Sequence, residues 1–188
     1  VSVCTWPHFH REMIEAAASS GVRAILSEKP MAPTWGEARS MHQACIDRDV
    51  LLTFCHQRRF GDTFQSARQL VRDGQIGTLK TIQSLFSYYN VDPGNIRNMA
   101  DLGGGGLMDI GCYPISLSRF IFDGEPSRVV GAAEFDPEFK TDRIASAIME
   151  FNGGTASFTC STQLAPYQRV QIVGDKGRVE IEIPFNAP

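Results

Sequence analysis

Two groups of residues in this sequence have the type and spacing to do chemistry. The first is Glu28-Lys29-Pro30, directly after the apolar run Val22 to Ser27. That run reads as a buried strand, which places the tripeptide at its carboxyl end, the edge where open α/β sheets bind ligands. Lys29 there is either a solvated loop cation or one facing a ligand. The second group is Asp109 with Tyr113, four residues apart in a helical pattern and therefore on one helix face. A carboxylate in a first helical turn is favoured by the helix dipole. Taken alone, the pair reads as a helix-start Asp and a core Tyr.

Other motifs fall away on inspection. The run Gly103 to Gly106 lacks the spacing of a G-x-G-x-x-G fingerprint and has no strand before it, so it serves close backbone approach, to another element or to a ligand. His10 and Glu12 form an H-x-E, but the P-C-x-x-C that completes a zinc deaminase is absent. His8 and His10 have no third ligand near in sequence, so no metal site is expected. There is no G-x-S-x-G nucleophile elbow.

The elements that must position these residues follow a pattern. Val1–Trp6, Val22–Ser27 and Val50–Cys55 read as strands separated by helices over 8–20 and about 34–49, which implies a parallel sheet with right-handed crossovers. Met13, Ile14, Ala17 and Ala18 form the packed side of the first helix, and Gly21 closes it. Thr34 with Glu37 makes a capping box for the second. After Gln57 the character changes. A helix over about 63–72 precedes a long strand, Leu79 to Val91, and an irregular glycine-rich stretch leads to a helix over about 107–122. Strands follow at 128–135, 144–151, 155–162, 169–173 and 178–183, with hairpin turns at Asn152-Gly153-Gly154 and Asp175-Lys176-Gly177. The fold class is thus α/β plus α+β: part of a Rossmann-type parallel sheet over 1–58, then a domain over 59–188 with an open, mostly antiparallel sheet and a long helix.

Composition narrows the function classes. The 188 residues are 43% apolar and 21% charged, a globular balance. A formal net charge of -3 without a basic block argues against a nucleic-acid partner. No apolar run approaches the ~20 residues of a membrane-spanning helix. The five cysteines are odd in number and widely spaced, which fits free thiols in a reducing compartment, and a cytoplasmic location is expected.

Five pieces occur together in a known order: Thr5-Trp6-Pro7-His8-Phe9-His10, Glu28-Lys29-Pro30, Gln57-Arg58-Arg59-Phe60, Gly104-Gly105-Gly106-Leu107-Met108-Asp109-Ile110-Gly111-Cys112-Tyr113, and Gly174-Asp175-Lys176-Gly177. In these the chain resembles the Gfo/Idh/MocA family of NAD(P)-dependent oxidoreductases, with Tyr113 at a position where the family has His or Tyr. That variant looks like the branch of glucose–fructose oxidoreductase, xylose dehydrogenase and dihydrodiol dehydrogenase. The resemblance implies hydride transfer between NAD or NADP and a sugar or polyol C–OH. It implies catalytic roles for Lys29, Asp109 and Tyr113, and substrate contacts from Lys29, Arg97, Asp109 and Tyr113. Thr5, Pro7, His10, Glu28, Lys29, Pro30 and Arg59 are its implied cofactor contacts, and Lys29–Pro30 its cis peptide candidate. It implies a homo-oligomer formed through the open sheet.

Two further expectations follow. A family member begins with a strand, a Gly-rich turn and a helix that hold the pyrophosphate; this sequence opens at Val1 without them, so it is expected to be a central fragment, inactive alone. The alternative reading is a non-catalytic ligand-binding or assembly module that keeps the fold. Tyr113 is expected to titrate near the ordinary tyrosine value of about 10 in such a fragment.

Overall fold

The computed structural model describes residues 1–186. Three short parallel strands open the chain: β1 (Ser2–Val3), β2 (Ala24–Ser27) and β3 (Leu51–Phe54), hydrogen-bonded in that order. Helices α1 (Pro7–Ser19) and α2 (Trp35–Ile46) are the crossovers. Along α1 the buried stripe is His10, Ile14 and Ala18, at helical spacing. Met13, expected on that packed side, is exposed, and His10 takes its place. Thr34 caps α2 by accepting from the Glu37 N–H at 3.3 Å, and Gly21 follows α1 at φ +79°, both as the sequence requires. Val3, Ile14, Ile25, Met41 and Cys45 form the core of this part.

The chain then passes a short 3₁₀ turn (Gln57–Phe60) into α3 (Asp62–Arg72) and the long strand β4 (Leu79–Tyr89). Beyond the glycine run lie a π-helical turn (Leu107–Gly111) and α4 (Cys112–Phe122). Five strands complete the fold: β5 (Arg128–Phe135), β6 (Asp142–Phe151), β7 (Gly154–Ser161), β8 (Gln163–Gly174) and β9 (Arg178–Glu182). The six-stranded sheet has the order β5-β6-β7-β4-β8-β9. Only the β4–β7 pair is parallel. One face carries α3 and α4 over Phe64, Ile82, Phe86, Leu117, Phe158 and Ile172; the other is open.

Two departures from the sequence expectation have local causes. The helix expected over 107–122 opens with a wide turn, and Asp109 lies in it. Its start is held by the Asp142 carboxylate, which accepts from Leu107 N–H at 2.6 Å, and Gly111 presses against Cys160 of β7, where a Cβ would come within 3.0 Å of its sulfur. The strand expected to begin at Arg169 begins instead at Gln163. Pro166 lies where the β4–β8 ladder slips register between Ser87 and Tyr89, so its missing N–H costs no ladder bond.

Candidate active site

The irregular stretch after β4 and the wide turn before α4 bring Asp109 to the carboxyl end of β2, where Lys29 stands just before its cis peptide to Pro30. The Lys29 ammonium donates to the Asp109 backbone carbonyl at 2.6 Å and to its carboxylate Oδ1 at 3.2 Å. The other carboxylate oxygen, Oδ2, accepts from Arg97 Nε at 2.9 Å and from the Tyr88 hydroxyl at 2.7 Å. The side chains of Lys29 and Asp109 are only 17% and 15% exposed, so their charges interact with little screening. Tyr113 lies on the same side, with the Lys29 Nζ 5.0 Å from its ring centroid. Its ring is set by Phe86, at 5.9 Å between centroids, and by Phe185, at 5.7 Å.

Electrostatics fix the resting protonation. Burial alone would pull the Lys29 ammonium down, but Asp109, with lesser help from Tyr113 and Cys112, outweighs it and raises Lys29. Tyr113 is also raised: burial dominates, and Lys29 offsets it only in part. That corrects the expectation of an ordinary tyrosine value, because even without further protein around it the phenol is more than half withdrawn from water. The Tyr88 phenol is pushed up by burial and by the Asp109 charge. At neutral pH Lys29 and Arg97 are therefore cations, and both phenols are protonated.

Two cavities meet at this cluster. A recess of about 540 Å³ is lined by Lys29, Tyr88, Asn90, Arg97, Asp109, Tyr113 and Gln168, among others. A cleft of about 330 Å³ is lined by Thr5, Trp6, Pro7, Glu28, Lys29, Pro30 and Gly104, and shares Lys29, Arg97 and Asp109 with the recess. A larger concavity, about 610 Å³, lies on the open face of the six-stranded sheet, away from these side chains. The charged and phenolic cluster lines the first two and not the third.

Of the expected cofactor contacts, Thr5, Pro7, Glu28, Lys29 and Pro30 come together around the cleft. His10 and Arg59 do not. His10 is fully buried behind it, with Nδ1 3.1 Å from the Pro30 carbonyl and Nε2 3.0 Å from that of Thr5, so it braces the two loops that form the cleft. Arg59 points elsewhere: it donates to Ser116 Oγ at 2.8 Å and to the Ser116 carbonyl at 2.9 Å, and it flanks Phe120. All four expected substrate contacts, Lys29, Arg97, Asp109 and Tyr113, line the recess. Tyr88 was not singled out from the sequence, because it alternates with Ile82, Ser84 and Phe86 on the packed face of β4 and reads as core. Among the described residues no cluster of three or more His, Cys, Asp or Glu could hold a metal ion, and the five cysteines are unpaired. No helix among them is long and apolar enough to cross a membrane.

A partial nucleotide-binding sheet with a charged cluster at its carboxyl edge, joined to an open antiparallel domain, defines a class of two-domain oxidoreductases. Comparisons with known proteins agree. Residues 1–56 match the family model "Oxidoreductase family, NAD-binding Rossmann fold", and residues 64–180 match the GFO/IDH/MocA C-terminal domain. The chain is 35% identical over 186 residues to an uncharacterized oxidoreductase of Rhizobium meliloti, covering 95% of this chain and 54% of that protein. It is 32% identical over 181 residues to a D-xylose 1-dehydrogenase (NADP(+)) of Haloferax volcanii, covering 94% and 54%. Its fold superposes on an aldose-aldose oxidoreductase from Caulobacter crescentus, crystallised with glycerol, at a TM-score of 0.92 and 30% identity, over 100% of this chain and 58% of that one. The chain belongs to the Gfo/Idh/MocA family of oxidoreductases, and it spans about half the length of the curated relatives it matches.

Proposed function

We propose that the chain carries the catalytic centre of an NAD(P)-dependent oxidoreductase acting on a C–OH carbon of a sugar or polyol. The observation that carries this reading is the set Lys29, Asp109 and Tyr113, in which Lys29 and Asp109 line both the cleft and the polar recess and Tyr113 lines the recess beside them. The named activities of the xylose dehydrogenase and the aldose-aldose oxidoreductase support the substrate class.

The residues fit a nicotinamide group. The cleft pairs flat, partly exposed surfaces at Trp6 and Pro7 with the Lys29 cation, and it lies at the carboxyl ends of parallel strands. Thr5, Pro7, Glu28, Lys29 and Pro30 would hold that group, which when bound supplies or accepts the hydride.

The chain's own residues do the rest. Tyr113, protonated at rest, stands ready to donate its phenolic proton to a carbonyl oxygen in the recess. In the reverse direction its oxygen takes the proton of a substrate hydroxyl. Lys29 stabilises the phenolate so formed, and Asp109 keeps Lys29 charged and aimed. Because both Tyr113 and Lys29 are raised, carbonyl reduction suits neutral pH and alcohol oxidation gains toward alkaline pH. Arg97, on the far side of Asp109, holds the carboxylate and offers its remaining N–H groups to substrate oxygens.

We further read the open sheet face, with Val130, Ile148 and Tyr167 exposed on it, as the surface for a second copy of the chain. The free cysteines fit a reducing, cytoplasmic setting.

The test is a fluorescence titration with NADH and NADPH on the chain and on Lys29→Ala. Saturable binding that the substitution weakens supports the reading. Cofactor binding indifferent to Lys29, or none up to millimolar concentration, counts against a working site in this chain and favours a non-catalytic module.

A further inference from the structure

Arg58 lies in the 3₁₀ turn Gln57–Phe60 and lines neither the cleft nor the recess. Its guanidinium reaches across 127 residues of chain, where Nε donates to the Phe185 carbonyl at 3.0 Å. From the other side, Gln168 Oε1 of β8 accepts from the Phe185 N–H at 3.1 Å and from the Asn186 N–H at 3.3 Å. Phe185 is buried and belongs to no strand, so these two side chains satisfy the backbone groups that a ladder would otherwise take.

The chain must turn sharply to bring Phe185 there. Ile183, directly after β9, has φ +49°, a left-handed conformation that is costly for a β-branched side chain. Such strain persists only where the surrounding contacts over-determine it. Here those contacts are the Arg58 and Gln168 hydrogen bonds and the packing of the Phe185 ring. That ring is the centre of an aromatic group. It stacks on Phe86 of β4 at 5.2 Å and 15°, meets Phe64 of α3 edge-on at 6.1 Å, and lies 5.7 Å from the Tyr113 ring of α4 at 37°. Gln168, Ile183 and Asn186 line the recess together with Tyr113, so this strap forms part of the wall beside the phenol.

We infer that Arg58 is a positioning residue for Tyr113: by holding the Phe185 carbonyl it keeps the Phe185 ring against the tyrosine ring and so fixes where the phenol stands in the recess. The inference rests on the oxidoreductase reading above, which makes Tyr113 the proton donor, and adds the residue that aims it. The Arg58 turn follows β3 of the parallel sheet, so the clamp ties the cleft-forming part of the chain to the wall of the recess.

The test is Arg58→Met on the full chain, with the Tyr113 ¹³Cζ resonance followed against pH. Met keeps an aliphatic stem and loses the donor. Once Phe185 loosens, water reaches a phenol whose value burial had raised, so the titration is expected to move down toward the ordinary tyrosine value. Loss of a cation acts with the opposite sign and cannot imitate this. The Phe185 amide is expected to exchange about tenfold faster, the worth of one hydrogen bond. In a Phe185→Leu background, Arg58→Met is expected to move Tyr113 no further, because a residue that acts through another then has nothing to act on. In unsubstituted protein a nuclear Overhauser contact between the Phe185 and Tyr113 rings is expected, and this readout does not depend on any variant folding. NADPH binding by the unsubstituted chain is measured alongside. A Tyr113 titration that stays or moves up in Arg58→Met, the same downward move in the Phe185→Leu background, or a missing ring contact overturns the assignment and, with NADPH bound, leaves the oxidoreductase reading in place. No NADPH binding by the unsubstituted chain overturns both.

Discussion

Replacing Lys29 with Met tests the electrostatic core of the mechanism. Met keeps the length of the side chain and removes the charge 5.0 Å from the Tyr113 ring. At an effective dielectric of 20, a unit charge at that separation stabilises the phenolate by about 3.3 kcal/mol; in bulk water the figure is about 0.8 kcal/mol. Lys29 is only 17% exposed, which places the real value toward the upper limit. The cation favours ionised tyrosine, so its removal must raise Tyr113 further. The assay is a pH titration of the ¹³Cζ tyrosine resonances, with Tyr113 assigned through Tyr113→Phe. Linkage gives an independent check on the unsubstituted protein. The Lys29 value is raised above its ordinary 10.5, so its contribution to stability is complete below that pH and is lost as pH rises through the folded-state value. Denaturant stability should therefore decline in the alkaline range, and the part of that decline due to Lys29 should vanish in Lys29→Met. A Tyr113 titration that does not move, or moves down, refutes the assignment of Lys29 as the phenolate's partner.

Two other substitutions separate positioning from contact. Gly105 has φ +122°, and a Cβ there would collide with Asp142 Oδ1, the carboxylate that holds the start of the catalytic turn. Gly105→Ala should cost about 2–4 kcal/mol in urea unfolding, the sum of a strained residue and a displaced hydrogen bond, and a loss below about 1 kcal/mol would show that the loop relaxes freely. Arg59→Met should lower stability by about 1–3 kcal/mol through the lost Ser116 bonds and leave NADPH affinity unaltered; weakened cofactor binding at unchanged stability would return Arg59 to the cleft.

The parallel strands were legible from their alternation with helices and the Thr34 cap from Glu37 three residues on, whereas the cis Lys29–Pro30 bond was expected only from the family resemblance. The place of β4 in its sheet was not. Hairpin signals pair β6 with β7 and β8 with β9, but nothing local says that β4 inserts between β7 and β8, because that choice is made by burial of Ile82 and Phe86 under α4. His10 shows the same limit from the other side. Its position in a cofactor-loop motif is readable, whereas its orientation depends on the Pro30 carbonyl, twenty residues away in the chain.

Asp109 gathers most of what the sequence left hidden. Its partners come from β2, β4 and the loop after it, and the Lys29 pairing spans eighty residues. From the residues alone Lys29 stood open between a loop cation and a ligand contact, Arg97 and Asp109 were joined to it only through the family resemblance, and Tyr88 was not singled out. Their convergence leaves the Asp109 carboxylate between two cations, the nearly covered Lys29 and the half-exposed Arg97. Such a site cannot be explained by stability, since a buried ion pair gives back in desolvation much of what it gains in attraction. The two cations instead favour negative charge arising nearby, on a substrate oxygen or on Tyr113, and proton transfer at a C–OH group would generate it at those two atoms. The geometry that looks costly for folding is thus the geometry that a proton-coupled hydride transfer requires.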